Sequence, residues 1–213
     1  LGSFFMHMQK KELIARLNHL LEFDLITRSG DFLKVNDRVF GFWMKFVYQE
    51  KLQSLTFDAK NQKTKFCDSL EGLIQEFILN SRKPLMERMN ELLCSFENEM
   101  MQMDRKKIRL NHFREIKPMQ FRGRLLNSGL IGRSNDSLWI VAVKTDPILE
   151  EDVLEFSREC RKYRHKLQRR IMVSLKEIDM NTRLRALEEK IWAWDINNLN
   201  QILDLYSRPR VIA

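Results

Sequence analysis

Along the chain, apolar positions first recur at helical spacing. Leu13, Leu17, Leu20 and Leu21 share one face of residues 9–22, while Lys10, Lys11, Arg16 and His19 fall mostly elsewhere. The pattern then shortens to two strands, Leu25–Ile26 and Phe32–Val35, around a turn at Ser29-Gly30-Asp31. From Asp37 to Tyr48 helical spacing returns with dense aromatics: Phe40, Trp43 and Val47 fit one face, Phe42 and Phe46 another. Such a stripe is core far more often than a base-stacking platform. Phe40, Trp43 and Phe46 are therefore expected to pack against Leu70, Leu73, Ile74 and Phe77. Residues 49–66 are polar and read as a connector. Residues 67–103 read as two helices split near Ser81–Pro84, because proline disfavours helical geometry in the residue before it; the second would run from Leu85 to Met103.

From Lys117 the rhythm becomes that of strands: Met119–Leu126, Leu130-Ile131 and Leu138–Val143, with turns at 127–129 and 134–136. Pro147 with Glu150, Glu151 and Asp152 marks a helix start, where negative charge suits the helix dipole. That helix runs through Val153, Leu154, Phe156, Cys160 and Tyr163. A strand at 170–175, a helix at 181–190, a strand at 191–194 and a helix at 196–206 complete the chain. The predicted class is α/β, more strictly a mixed α+β chain in three parts. Residues 1–56 form a partial winged helix-turn-helix with the aromatic helix, 57–103 a helical connector, and 104–213 an α/β domain. A complete winged helix would need its first helices upstream of residue 1, so the chain reads as a piece of a longer protein.

Composition narrows the function classes. The chain has 213 residues, 44% hydrophobic and 31% charged, which is the make-up of a folded protein rather than a disordered one. Cys67, Cys94 and Cys160 lie far apart with no C-x-x-C, which argues against a disulfide framework or a zinc ribbon and for reduced thiols in a cytoplasmic protein. The four histidines (His7, His19, His112, His165) have no zinc-like spacing. No phosphate-binding or esterase motif occurs, and no apolar run approaches a membrane span, so neither a nucleotide loop nor a membrane partner is expected.

The net charge of +8 is concentrated. Residues 105–124 carry eight basic side chains against Glu115 alone, and residues 158–170 carry seven against Glu159 alone. Two such blocks are what a polyanion-binding surface needs. The candidate contacts there are Arg105, Lys106, Lys107 and Arg109 in the first block. In the second they are Arg158, Arg161, Lys162, Arg164, Lys166, Arg169 and Arg170. In the winged part, Lys10, Lys11 and Arg16 on the helix could face a groove, with Arg28 and Lys34 on the ribbon reaching phosphate.

Candidate chemistry centres on Leu138–Lys144, an apolar strand that delivers one lysine at its carboxyl end. Such a strand resembles the central strand of restriction-endonuclease-like domains. There an acid two residues before the lysine holds a divalent metal, and the lysine positions the attacking water. Here that position is Ala142, and the second-strand position, near Leu130 or Gly132, carries no acid either. Lys144 remains as a vestigial candidate, with no metal ligand set, and Mg²⁺ would enter only if an acid had migrated. The segment LLEFDLITRSGDFLKVNDRVFGFWMKFVY (20–48) is similar to the region after the ATPase domain in archaeal-type P-loop ATPases of the AAA+/STAND group. That group shows a similar ending, Asp37 to Phe40-x-Phe42-Trp43, and continues into a restriction-endonuclease-like domain. The resemblance implies that a Phe-Glu pair, here Phe96-Glu97, opens that domain with its glutamate near the metal site. It also implies an ATPase domain upstream as a partner. The expectation is a non-catalytic C-terminal region that binds nucleic acid, more readily DNA, through Arg/Lys blocks on a degenerate nuclease scaffold. Two alternatives stay open: a module that docks the ATPase core or another protein, and a metal-dependent nuclease with a migrated acid.

Overall fold

The computed structural model describes residues 9–48, 59–103, 106–123, 125–126, 128–135, 137–163 and 165–212, and the chain is a mixture of helices and sheets. It divides into two compact units that cross the expected three-part boundaries. One contains residues 1–75 with 100–107, the other 76–99 with 108–213.

The first unit begins with α1 (Lys10–Glu22) and the antiparallel ribbon β1 (Ile26–Ser29) and β2 (Phe32–Val35). The turn between the strands places Gly30 at φ +64°, in the left-handed region where a side chain is strained. There is no room for one either, because a Cβ at this position would fall 2.1 Å from the carbonyl oxygen of Met100. Met100 belongs to β3 (Met100–Met103), which lies against this turn. Asp31 N donates to Met100 O at 2.8 Å, Met100 N to Asp31 Oδ2 at 2.7 Å, and Ser29 Oγ to Gln102 O at 3.1 Å. The tip of the ribbon is thus taken up by a strand of its own unit.

Asp37 caps the next helix, α2 (Arg38–Trp43), by accepting from Phe40 N at 2.9 Å. The helix widens into a π turn over Met44–Tyr48. Phe42 packs on Phe46 and on Phe66 of α3 (Ala59–Arg82) at centroid distances of 4.7 and 5.7 Å. The opposite stripe does not pack inward as expected. Phe40 and Trp43 stack on each other and keep 41% and 42% of their surface exposed, and Leu70, Ile74 and Phe77 are exposed as well. Helix α3 also starts within the supposed connector, in Ala59-Lys-Asn-Gln-Lys, where helix propensity decided what polarity obscured.

In the second unit, α4 (Leu85–Cys94) stops nine residues short of the expected end. Asn98 adopts φ +71° and accepts from His112 N at 3.1 Å, a left-handed turn that asparagine tolerates and that reverses the chain. Strand β3 of the first unit stands where helix was expected, and β4 (Lys106–Arg109) pairs with it. The main sheet comprises β5 (Glu115–Gln120), β6 (Ser128–Arg133), β7 (Leu138–Lys144), β8 (Leu167–Ser174) and β9 (Trp192–Trp194), in that order. The β5–β6–β7 part is an antiparallel meander and β7–β8–β9 is parallel. Parallel pairing requires crossovers, supplied by α5 (Glu150–Cys160) and α6 (Met180–Glu188); α7 (Ile196–Leu205) closes the unit.

Leu138 to Ala142 are all buried, so β7 is covered on both faces. On one face Ile131, Ile140, Ala142 and Met172 meet Val153, Phe156 and Cys160 of α5 and Ala186 of α6. On the other, Trp139 contacts Phe96, Phe113 and Trp192 edge-on, at 6.3, 5.2 and 5.9 Å. Leu199, Ile202 and Leu203 of α7 and Leu92 and Leu93 of α4 are buried at helical spacing, with α7 over β8 and β9 and α4 over β5 and β6. Burial also silences the Cys160 thiol, pushing its pKa up to about 12. In native protein a thiol reagent at neutral pH should label the exposed Cys67 and Cys94 and spare Cys160 until the chain is unfolded. Labelling of Cys160 at the rate of the other two would show that α5 does not pack on the sheet.

Candidate functional site

The two edges of the main sheet differ in chemistry. At the carboxyl edge of β7, Lys144 lies beside Ser174 of β8 and turns to the first turn of α5, where its Nζ donates to Asp152 Oδ2 at 2.6 Å. The same oxygen accepts from Leu149 N at 2.7 Å and so caps the helix. Asp152 is 1% exposed and Lys144 20%, so this is a nearly dry ion pair. Asp152 Oδ1 has no hydrogen-bond partner among the described residues. The lysine that sequence offered as a water-positioning group is therefore occupied by the helix that follows it.

The second-strand position falls one residue before Leu130 and three before Gly132. The residue facing Ala142 on β6 is Gly129, not Leu130 or Gly132. A side chain at 129 has nowhere to go: its Cβ would lie 2.4 Å from Val141 O and 2.7 Å from the Phe121 ring. Phe121, packed edge-on against Phe156 at 5.6 Å, fills the space with hydrocarbon. Glu97 is exposed, lies beyond the end of α4, and its backbone N–H donates to the Glu99 carboxylate at 2.7 Å. No group of three or more His, Cys, Asp or Glu side chains suited to a metal ion occurs among the described residues.

The opposite edge, roughly 20 Å away along β7 at ~3.3 Å per residue, is basic and recessed. Because β6 runs antiparallel to β7 and β8 parallel to it, the turn Ser134–Ser137 and the segment before β8 meet there. Between them lies a recess of about 630 Å³, lined by Arg133, Ser134, Asn135, Ser137, Leu138, Lys162, Tyr163, His165 and Lys166. The turn is held firmly. Ser134 and Ser137 hydroxyls are 2.8 Å apart, and Asn111 Nδ2 donates to Ser137 Oγ at 2.9 Å and to Gln168 Oε1 at 2.8 Å. Trp139 Nε1 donates to the same Gln168 oxygen at 3.1 Å, which ties the turn to the aromatic core. Lys162 is shared with Glu159 at 3.0 Å and Arg133 stands 3.9 Å from Glu115, whereas His165 and Lys166 have no acidic partner among the described residues. Across the Arg161–Leu167 connection a second hollow, about 270 Å³, is lined by Cys160, Arg161, Leu167, Gln168, Arg170 and Lys190.

The sequence-selected cations are thus sorted. Lys162 and Lys166 converge on the first recess and Arg161 on the second. Arg170 lines the second hollow but is spent internally: it donates to Ser157 Oγ at 3.2 Å and to the carbonyl of Glu189. Arg169 lies 4.3 Å over the Trp192 ring on the other sheet face, and burial lowers its pKa. Arg158 is exposed and donates to Leu154 O at 3.3 Å. Lys106 and Lys107 are exposed on β4, as is Arg109. In the first unit Lys10 and Lys11 are exposed, Arg16 pairs with Glu12 at 2.6 Å, and Arg28 donates to Gly30 O at 3.0 Å. Lys34 is half-buried. Arg105 and Arg164 lie outside the described residues. Sequence reasoning passed over Arg133, Ser134, Ser137, His165 and Lys190. The signal that finds them is strand direction, which brings both loops to one edge.

No family model matches the chain, and no curated protein matches it. Among solved structures the chain is similar to the crystal structure of protein VC1899 from Vibrio cholerae, at 14% identity and a TM-score of 0.29, over 97% of this chain and 43% of that one. The chain therefore spans less than half of that protein's length, and a superposition this loose carries no functional weight. No helix among the described residues is long and apolar enough to cross a membrane.

The Lys144–Asp152 pair makes a direct prediction. Replacing Lys144 with Met should leave a buried carboxylate unpaired and lower stability by about 3 kcal/mol. That is the low end for such a pair, since Lys144 keeps some exposure; the denaturation midpoint reads it. A Lys144→Met protein of unchanged stability that has lost a Mg²⁺-dependent DNA cleavage would mark the lysine as catalytic instead.

Proposed function

We propose that this chain is a nucleic-acid-binding region that uses a nuclease-like scaffold without nuclease chemistry. The observation that carries the reading is the basic sheet edge, where two recesses flank the Arg161–Leu167 connection with Arg133, Lys162, His165 and Lys166 on one side and Arg161 and Lys190 on the other. Phosphate is the group such an array suits, so binding is electrostatic and largely indifferent to sequence. The order of β5–β6–β7, α5 and β8 agrees with a restriction-endonuclease-like core. α1 with the β1–β2 ribbon agrees with the last part of a winged helix. In this reading the chain is the C-terminal region of an archaeal-type ATPase. The carboxyl edge lacks the acids of a nuclease at Ala142 and Gly129, and Phe121 occupies the space between them.

Duplex DNA should bind more weakly as salt rises, and Lys166→Ala with Arg161→Ala and Lys190→Asn, which touch both recesses, should flatten the slope of log K against log salt. Each lost phosphate contact removes ~0.9 from that slope on duplex DNA. Asparagine is chosen at 190 because Lys190 sits at φ +55°. An anisotropy titration in which this variant keeps the native slope would sink the reading.

A second reading rests on a different observation. In the first unit Phe23, Leu25, Leu33, Val39, Phe40 and Trp43 are exposed, more apolar surface than scattered single residues explain. This favours docking to protein, with the upstream ATPase core as the candidate. Phe40→Ser with Trp43→Ser should then abolish capture of that core and leave DNA affinity unchanged. Undiminished capture removes this reading.

A further inference from the structure

We infer that the recess between the Ser134–Ser137 turn and Tyr163–Lys166 is a binding site for a nucleotide bearing a phosphate monoester. The inference deepens the nucleic-acid reading and rests on it for one source of the ligand, the phosphorylated end of a single strand. A free mononucleotide offers the same chemistry without it. Four features distinguish the recess from a track for a continuous backbone.

Its size comes first. About 630 Å³ lies within the range of small-ligand sites, ~300–1,000 Å³. Second, its basic groups come from different walls. Arg133 ends β6, Lys162 belongs to the turn after α5, and His165 and Lys166 precede β8, so three separate segments contribute cations to one recess instead of one element laying them in a row. A monoester carries roughly −1.5 to −2 charge near neutrality, about twice that of a diester, and gains more from such convergence. Third, hydroxyl groups are fixed at the mouth. Ser137 Oγ is held by Asn111 and Ser134, and Asn111 in turn shares Gln168 with the Trp139 indole. Donors held in place before binding lose little freedom when an anion arrives. Fourth, Tyr163 and Leu138 add an aromatic and an aliphatic wall, the surface on which a base can lie, while the Asn135 amide can meet its polar edge. Tyr163 packs on the sheet core, so that wall does not move with the loop.

The probes are one single-stranded oligonucleotide in three forms (5′-phosphorylated, 3′-phosphorylated and unphosphorylated) and the free mononucleotide AMP. They are titrated against the whole chain and against Arg133→Ala with Lys166→Ala. Both of these side chains are exposed, and a melting curve confirms that the variant folds. At least one phosphorylated form should bind ~10-fold tighter than the unphosphorylated strand, the factor that one added charge-assisted hydrogen bond gives. The variant should bind all three strands equally, with whatever general loss its two missing phosphate contacts bring, and a variant that keeps the ~10-fold preference overturns the pocket. A strand preference without AMP binding assigns the site to strand ends. Saturable AMP binding lost in the variant, with no strand bound, keeps the pocket and removes the nucleic-acid reading. Equal affinity for all three strands, with no AMP binding, overturns the pocket while the nucleic-acid reading stands. If nothing binds, both fall.

Discussion

Everything in the second unit follows from the burial of β7 on both faces. A strand whose residues from Leu138 to Ala142 are all out of water can present no polar side chain along its middle. The helices that cover it must supply two apolar faces. α5 and α6 do so with Val153, Phe156, Cys160 and Ala186, and the other face is closed by α4, α7 and aromatic rings around Trp139. Burying residues of this size stabilises by ~1.5–3 kcal/mol each, so the arrangement leaves no incentive to open. Chemistry is confined to the two ends of the strand.

The ends have been used differently. At the carboxyl end, where ligands of open α/β sheets usually sit, Lys144 and Asp152 neutralise each other and cap α5 in the same act. An ion pair this dry is weak evidence of net stability, but it is costly to break on one side only. It therefore holds the α5 start against β7 and leaves the only cation of the strand engaged. With Phe121 pressed over Gly129, the space that two carboxylates would share is hydrocarbon. At the amino end the described loop residues carry arginine, lysine and histidine, with Glu115 beside Arg133 and Glu159 beside Lys162, and hydroxyl and amide groups already oriented.

Much of this was legible in sequence. The strand Leu138–Lys144 is a continuous apolar run and the acids at 150–152 mark the start of α5, so both emerged within a residue or two, while the helix stops at Cys160 and the expected stretch to Tyr163 is a tighter 3-10 turn. Short elements were less visible. Strand β5 spans Glu115–Gln120, earlier than the expected Met119–Leu126, because apolar residues of the loop after it, Phe121 and Leu126, are as buried as strand residues. Met100–Met103 read as helix because methionine favours helices, yet Met101 and Met103 alternate inward in a strand. The site was half legible: charge density revealed Lys162 and Lys166, but only the pairing of β6, β7 and β8 brings Arg133 beside them. Nor could spacing reveal that Arg170 would be consumed by Ser157 and Glu189.

The aromatic helix shows where hydrophobic pattern misleads. Phe40 and Phe42 differ by two positions, hence by about 200° around a helix, and a helix packed on one side can bury only one of them. Phe42 takes the inner place beside Phe46 and Phe66, and Phe40 stays with Trp43 on the solvent side. Among the described residues of the first unit only Met101 and Met103 are buried, and its ribbon is secured by hydrogen bonds between Ser29 or Asp31 and β3 more than by a core. Residues 1–56 are also close to neutral, with eight basic against six acidic side chains. Weak charge with exposed aromatics is a poor match for phosphate and a good one for an apolar protein surface. The second unit has the reverse distribution, apolar inside and basic at one edge. A chain divided in this way carries two chemically different surfaces, and mutations in one need not disturb the other.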